Sequence, residues 1–200
     1  IPLYMKYLAS REANPIIHDE AALALVPQID YDFAKFNHAP ASRIGTALRA
    51  RYFDRITADF IRSQSHPVVV QLGCGLDDRL GRVGETAASV PFVELDLPEV
   101  IELRRQWLPP KPNETLIAAS MFDKDWQGCL KNQFPNAQFL FVIEGVLMYF
   151  PRELVQSLMA RLAQFGGGEM AFDVCSNLAV KNSDRHDSVS KTQARFVRLR

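Results

Sequence analysis

The sequence predicts an α/β fold, a doubly wound and mainly parallel sheet with helices on both faces and a helical cap before it. Strand and helix patterns alternate along the chain, which is typical of such sheets. The strand-like runs are short, apolar and rich in β-branched residues, as expected for strands buried on both faces. The chain has 200 residues, 48% hydrophobic and 23% charged, which is enough to form one domain with a core.

Composition excludes several classes of partner. Lys plus Arg and Asp plus Glu each number 23, so no excess of basic residues favours nucleic acid or anionic lipid. The three cysteines are far apart and form no metal-binding or redox pair. No apolar run approaches the roughly 20 residues that span a bilayer. We therefore expect a cytoplasmic protein with no nucleic-acid, membrane or metal partner.

The amino-terminal region, residues 1–45, predicts a helical cap because prolines divide it into short pieces. A longer helix is predicted over 47–61, where apolar residues recur at spacings of three and four. The residues of this expected buried stripe are Leu48, Tyr52, Phe53, Ile56 and Phe60.

Five strands follow in the remaining region, 46–200. They are predicted at 68–72, 92–96, 115–119, 138–143 and 169–174. The fourth is the most apolar and is expected to be central. Prolines at 98 and 151 begin helices between strands, and three glycines at 166–168 end the second of these helices.

Ligands bind beyond the carboxyl ends of the strands in such sheets, so the residues after each strand are informative. Gly73 and Gly75 follow the first strand, and they allow either a simple turn or a close approach to a ligand. A dinucleotide fingerprint requires a third glycine at 78, where the chain has Asp78. A phosphate-free nucleoside is therefore the better ligand.

Acidic residues follow the second and fourth strands. Asp96 is placed to accept hydrogen bonds from both hydroxyls of a ribose, although an acid before a proline-started helix is also favourable at a helix amino terminus. Glu144 follows an apolar run, where a carboxylate without a partner is costly. With Asp77 opposite, we expect a cleft ringed with acids that suits a cation such as the sulfonium and amine of S-adenosylmethionine.

Three segments together are specific: V-Q-L-G-C-G-L-D-D-R at 70–79, V-E-L-D-L-P-E-V at 93–100 and I-E-G-V-L-M-Y-F-P at 143–151. In this order and spacing they resemble the leucine carboxyl methyltransferase family, and within it the bacterial branch similar to tetracenomycin-synthesis O-methyltransferases. The resemblance runs over the whole chain. It implies a class I methyltransferase fold that binds S-adenosylmethionine and a role in secondary metabolism such as polyketide biosynthesis.

The resemblance also implies individual roles. Arg49 matches the arginine that pairs with the methionine carboxylate, and Lys6 matches a basic residue of the cap near it. Asp96 matches the ribose acid, and Glu144 matches the acid at the end of the fourth strand. The implied cofactor residues are Arg49, Gly73, Gly75, Asp96, Ser120, Met121 and Glu144, of which Ser120 and Met121 replace an Asp-Leu pair at the adenine. Gln71 stands where many class I methyltransferases carry an acid.

Family members continue after strand five with a helix and an antiparallel pair of strands. Since 26 residues follow Val174, we expect the last strands of the sheet to lie outside these 200 residues and the methyltransferase domain to be incomplete at its carboxyl end.

The expected activity is methyl transfer to an oxygen of a small-molecule carboxylate or hydroxyl. A carboxylate acceptor, with a pKa of about 4, needs no base, whereas a phenol, with a pKa of about 10, would benefit from one. His186 is the candidate base unless it is a solvated loop histidine, and Tyr149 either lines the acceptor pocket or packs under the next helix. Two alternatives stay open: a non-catalytic S-adenosylmethionine-binding regulatory module and a nicotinamide-dependent oxidoreductase, which Asp78 disfavours.

Overall fold

The computed structural model describes residues 1–176 together with residues 181, 187, 188 and 190. Its centre is a five-stranded sheet in the order β3-β2-β1-β4-β5, and every neighbouring pair of strands is parallel. The strands are β1 (Pro67–Leu72), β2 (Phe92–Asp96), β3 (Glu114–Ala118), β4 (Gln138–Ile143) and β5 (Glu169–Phe172). The strand order reverses between β1 and β4, where ligands bind in open α/β sheets.

Helices cover both faces of the sheet. They are α1 (Pro2–Ser10), α2 (Glu20–Leu25), α3 (Pro40–Ser63), α4 (Arg79–Val83), α5 (Pro98–Trp107), α6 (Asp125–Gln133) and α7 (Arg152–Leu162). Side chains alternate along the strands, so Val70 of β1 packs with α6 and α7 whereas Val69 packs with α3 and α4. The predicted doubly wound α/β fold is confirmed. The fourth strand along the chain is an interior strand, between β1 and β5, whereas β1 lies in the middle of the sheet.

Helix α3 differs from its prediction in both start and buried face. It begins at Pro40 rather than near residue 47, because proline is tolerated in the first helical turn. Leu48 and Tyr52 of the expected stripe are 51% and 55% exposed. The face actually buried carries Ala47, Ala50, Phe53, Thr57, Phe60 and Ile61. The small alanines lie inward because they pack with Ala9 of α1, and small side chains allow two helices to approach closely.

The amino-terminal region is helical, as predicted, and α3 joins it to the sheet. The boundary expected near residue 45 falls inside α3. Met5 and Phe36 are buried in a separate apolar cluster of the cap. Helix α2 is capped by Asp19, whose carboxylate accepts a hydrogen bond from the Ala22 amide at 2.8 Å.

Candidate functional site

Two adjoining cavities lie at the carboxyl ends of β1, β2 and β4. The first has a volume of about 320 Å³ and the second about 260 Å³. They share Gly73, Gly145 and Val146 in their walls. Since both occupy the switch point of the sheet, they form one continuous candidate binding cleft.

The residues implied by the family resemblance meet at this cleft. The first cavity contains Arg49, Gly73, Gly75 and Glu144, together with Lys6, Gln71 and Asp77. The second contains Gly73, Asp96, Ser120, Met121 and Tyr149. Every residue named from sequence as a cofactor contact therefore lines one cavity or the other.

Two glycines shape the wall that both cavities share. Gly73 has a φ of +74°, and a Cβ at this position would lie 2.7 Å from a methyl carbon of Val146. Gly145 has a φ of +73°, and its Cβ would lie 3.2 Å from Nη2 of Arg49. Larger residues would be strained at both positions and would collide with these neighbouring side chains.

Asp96 is fixed at the lip between β1 and β2. Its Oδ2 accepts a hydrogen bond from the Gly75 amide at 2.8 Å, and its Oδ1 accepts one from the Leu97 amide at 2.8 Å. A carboxylate offers about four acceptor sites. Asp96 can therefore hold the glycine turn and still accept hydrogen bonds from a ligand.

Glu144 bridges two arginines at the first cavity. Its Oε1 accepts from Nε of Arg49 at 2.9 Å, and its Oε2 accepts from Nη2 of Arg79 at 2.5 Å. Nη1 of Arg49 also donates to Asp173 at 3.2 Å. Burial lowers the pKa of Arg49, but the charges of Glu144 and Asp173 outweigh it and raise the pKa overall.

Asp77 is held by three cations, two from α4 and one from the cap. Nη1 of Arg82 donates to it at 2.7 Å, Nη2 of Arg79 donates at 3.3 Å, and Lys6 of the cap forms a close ion pair. Gln71 donates a further hydrogen bond at 3.0 Å. Burial opposes ionisation, but Arg82 and Lys6 hold the pKa of Asp77 well below its usual value.

The acids expected around the cleft, Asp77, Asp96 and Glu144, do line it, but protein cations pair with Asp77 and Glu144. Among the described residues, the cluster contains four cations, Lys6, Arg49, Arg79 and Arg82, and five carboxylates, Asp19, Asp54, Asp77, Glu144 and Asp173. One negative charge remains in excess. The cluster retains a weak preference for a cation but presents groups of both signs to a ligand.

The burial of Arg79 and Arg82 beside the cleft was not predicted from the sequence. Both lie in α4, three residues apart, and both donate to Asp54 and Asp77. The available signal was the acidic pair Asp77 and Asp78 followed by Arg79 and then Arg82, which suggests ion pairing but not its partners on distant segments. Arg104 of α5 was also missed.

Asp78 has a structural role that also distinguishes ligand classes. Its side chain caps α4 by accepting from the Gly81 amide at 3.0 Å and pairs with Lys111 at 2.7 Å. A dinucleotide pyrophosphate would need this helix amino terminus, which the carboxylate occupies. The alternative of a nicotinamide-dependent oxidoreductase is therefore disfavoured by position as well as by residue type.

The side chains that could take part in catalysis lie in different places. Tyr149 lines the second cavity, and burial followed by the neighbouring Cys175 raises its pKa. His186 lies outside the described residues. Cys74 is buried, and this burial together with Glu94 raises the pKa of its thiol well above the usual value, so it stays protonated. The described histidines, His18, His38 and His66, are exposed and line neither cavity.

The described residues contain neither a membrane-spanning helix nor a metal-binding cluster. Within that part of the chain, no helix is both long and apolar enough to cross a membrane. No group of three or more His, Cys, Asp or Glu side chains in the same residues could hold a metal ion.

Known proteins are similar in sequence to most of this chain. Residues 3–163 match the family model described as leucine carboxyl methyltransferase. The tetracenomycin polyketide synthesis O-methyltransferase TcmP of Streptomyces glaucescens is 30% identical over 172 residues, which is 86% of this chain and 62% of that protein. A Mycobacterium marinum protein described as an S-adenosyl-L-methionine-dependent methyltransferase is 28% identical over 86% of this chain and 60% of its own length.

The fold has a solved counterpart. A Thermobifida fusca protein described as a methyltransferase superposes with a TM-score of 0.59 and 18% identity, over 100% of this chain and 76% of that one. This likeness concerns the fold alone. The chain spans about three fifths of the length of the curated relatives named here. On the match over residues 3–163, the chain belongs to the leucine carboxyl methyltransferase family.

Proposed function

We propose that this chain is the cofactor-binding part of an O-methyltransferase that transfers a methyl group from S-adenosylmethionine to a small-molecule carboxylate or hydroxyl. The observation that carries the proposal is the order of charges along the cleft. A cation and an acid, Arg49 and Glu144, lie in the first cavity, and the acid Asp96 lies in the second. S-adenosylmethionine carries an amino-acid group at one end and a nucleoside at the other, in the same order.

The residues present fit this cofactor. Arg49 would hold its carboxylate, Glu144 its ammonium group and Asp96 its ribose hydroxyls, while Ser120 and Met121 would lie against the adenine. Gly73, Gly145 and Val146 line both cavities, so one ligand could span the two. The excess negative charge of the ion cluster suits the net positive charge of the cofactor. When bound, S-adenosylmethionine supplies an activated methyl group on a sulfonium.

The chain's own contribution to methyl transfer would be mainly positioning. Holding donor and acceptor in a reactive geometry can supply about 7–11 kcal/mol. A carboxylate acceptor is already ionised at neutral pH and needs no base. Tyr149 stays protonated at neutral pH because burial raises its pKa, so its hydroxyl would donate a hydrogen bond to the acceptor rather than remove a proton.

Transfer to oxygen and a small acceptor are supported by one relative. TcmP is by name an O-methyltransferase of tetracenomycin polyketide synthesis, and it is 30% identical to this chain. A role in secondary metabolism is therefore part of the proposal. His186 remains the candidate base for a phenolic acceptor.

Calorimetry and an acceptor screen would test the proposal. We expect micromolar binding of S-adenosylmethionine and S-adenosylhomocysteine and no binding of NADH. Incubation with S-adenosylmethionine and separate panels of aromatic acids, phenols and peptides with a free carboxyl terminus would follow, with methylated products measured by mass spectrometry. A methyl ester or aryl methyl ether would support the proposal. Tight binding without transfer to any panel by the full-length protein would favour a non-catalytic binding module.

A further inference from the structure

Arg79 is a fully buried arginine behind the first cavity. Its side chain has 0% exposure, and it stands outside the set of residues that line either cavity. A buried guanidinium must satisfy its donors within the protein. The acceptors of Arg79 therefore show which side chains it holds in place.

The guanidinium of Arg79 joins four acceptors on separate segments. Nε donates to Gln71 of β1 at 3.0 Å, and Nη1 donates to Asp54 of α3 at 2.7 Å. Nη2 donates to Asp77 at 3.3 Å and to Oε2 of Glu144 at 2.5 Å. Because the guanidinium is planar and rigid, contacts on this many segments fix the Glu144 carboxylate relative to β1 and α3.

The two partners of Glu144 are not equivalent. Arg79 is fully buried, whereas the Arg49 side chain is 30% exposed and lines the cavity. Arg49 also reaches Asp173, so it has a second acceptor when it leaves Glu144. Oε2 of Glu144 thus has a fixed partner, and Oε1 has one that a ligand can replace.

From this asymmetry we propose that Arg79 is the positioning residue that holds Glu144 in place while its Oε1 exchanges Arg49 for the amino group of the cofactor. The inference rests on the role of Glu144 in the proposed function. Without Arg79, the carboxylate would lose its fixed contact and could follow Arg49, so it would no longer be preorganised for an ammonium group.

Arg82 is a matched control three residues along the same helix. Its side chain is 5% exposed, and like Arg79 it donates to Asp54 and Asp77. Its remaining ion pair is with Asp19 of the cap, at 2.8 Å, rather than with Glu144. Removing either arginine takes one buried charge from the same cluster, but only the Arg79 variant also removes a contact of Glu144.

The test compares S-adenosylhomocysteine with its deamino analogue, in which hydrogen replaces the amino group. Calorimetry gives the ratio of the two affinities, which isolates the contribution of the amino group. We expect the unsubstituted protein to prefer S-adenosylhomocysteine by roughly tenfold or more. Arg79→Gln should reduce this preference to about twofold or less, Arg79→Lys should give an intermediate ratio, and Arg82→Gln should keep the original ratio.

A second pair of variants serves if Arg79→Gln alone does not fold. Arg79→Gln combined with Asp54→Asn removes one charge of each sign, and Arg82→Gln with Asp54→Asn is its matched control. Thermal unfolding would verify that each variant is folded before titration. The same affinity ratio is then compared within this second pair.

The possible outcomes distinguish failure of the role of Arg79 from failure of the proposed function. If Glu144→Gln abolishes the preference but Arg79→Gln retains it, Arg79 has only a structural role and the proposed function stands. If the Arg79 and Arg82 variants lose the preference equally, the effect belongs to the whole cluster and the inference is overturned. If the unsubstituted protein shows no preference for the amino group, the role of Glu144 fails and the inference fails with it.

Discussion

The two ends of the cleft are lined by different kinds of residue. The wall of the first cavity contains four charged side chains, Lys6, Arg49, Asp77 and Glu144, which are paired across several segments of the chain and lie beside apolar residues such as Leu3. The second is lined mainly by apolar residues and by backbone, with Asp96 as its acid. Ion pairs therefore preorganise one end, whereas apolar packing and the strand ends shape the other.

This difference separates recognition of charge from recognition of shape. Charged groups held by partners can hydrogen-bond an amino acid without paying the full cost of reorganising, because their geometry is already set. An apolar slot accepts a flat ring through burial of surface and gives less discrimination by charge. We expect substitutions at the first cavity to affect ligands with an amino-acid group and substitutions at the second to affect any nucleoside.

The largest expected effect comes from Arg104, which supports the loop common to both ends. Its Nη1 donates to the carbonyl oxygens of Gly75 at 3.1 Å and Asp77 at 2.8 Å, and its Nη2 donates to Glu114 at 2.7 Å. Arg104→Met leaves these acceptors and Glu94 without their cation. Since breaking a buried ion pair costs about 3–5 kcal/mol, we expect the free energy of unfolding in urea to fall by that amount.

The neighbouring Arg105 provides the control for that change. Its side chain is 53% exposed, and its nearest carboxylate oxygen, on Glu102, is 3.8 Å away. Arg105→Met should lower the free energy of unfolding by less than about 1 kcal/mol. Equal effects of the two substitutions would show that the contacts of Arg104 with the loop do not stabilise the protein.

A pH effect is expected from Glu94, which lies beneath the same loop. Burial is the largest cause and raises the pKa of Glu94 to about 7. The charges of Glu114 and Asp77 also raise this pKa, whereas Arg104, at 3.4 Å, and Arg79 lower it. A folded pKa above the unfolded value of 4.5 means that the folded state retains the proton longer. Stability from this group is therefore complete below pH 4.5 and is lost as the pH rises through about 7.

The magnitude of the Glu94 effect is on the order of 3 kcal/mol between pH 4.5 and pH 7. Chemical denaturation at several pH values would measure it. Glu94→Gln should remove the part of the pH dependence that falls in this window. A variant with the same slope as the unsubstituted protein would assign the dependence to other groups.

The sequence predicted the two ends of the cleft unequally. Asp96 ends a strand whose pattern is local, so its place in the second cavity follows from the topology of a parallel sheet, whereas Ser120 and Met121 were implied by the family resemblance. The ion pairs of the first cavity were missed because their members are far apart in the chain. Arg79 and Glu144 are separated by 65 residues, and Arg49 and Glu144 by 95. No short-range pattern encodes such a contact.

The error in α3 has a related cause. Apolar periodicity selected the large residues Leu48 and Tyr52, whereas the helix buries Ala47 and Ala50. Which face a helix buries depends on what packs against it, and here α1 needs small residues for close approach. Periodicity predicted the helix, and only tertiary packing determined its orientation.

Glu144→Gln should sharpen the contrast between the ends. Removing a charged partner of an ammonium group costs about 1.5–3 kcal/mol, which corresponds to a tenfold to hundredfold loss of affinity for S-adenosylmethionine. Affinity for 5′-methylthioadenosine, which lacks the amino-acid group, should be unchanged. Calorimetry with both ligands would measure this, and unchanged S-adenosylmethionine affinity in a folded variant would contradict the role of Glu144.

Arg49→Met should also weaken S-adenosylmethionine more than 5′-methylthioadenosine, but by a different mechanism. The substitution removes the group proposed to hold the methionine carboxylate, so S-adenosylmethionine should weaken by roughly tenfold while 5′-methylthioadenosine changes little. Arg49 also bonds Asp173 and Glu144, so its loss disturbs the cluster as well. Equal losses for both ligands would indicate that Arg49 has only this structural role.

Asp96→Asn is the smallest expected change and tests the opposite end. Asparagine retains one acceptor oxygen, so it can no longer use two oxygens to accept from the backbone amides of Gly75 and Leu97, and its NH2 group cannot accept a hydrogen bond from a ribose hydroxyl. One lost hydrogen bond of about 1 kcal/mol lowers affinity roughly fivefold. Because the ribose is common to both ligands, S-adenosylmethionine and 5′-methylthioadenosine should weaken equally. A loss confined to S-adenosylmethionine would place Asp96 with the charged end of the cleft and remove the division between the two cavities.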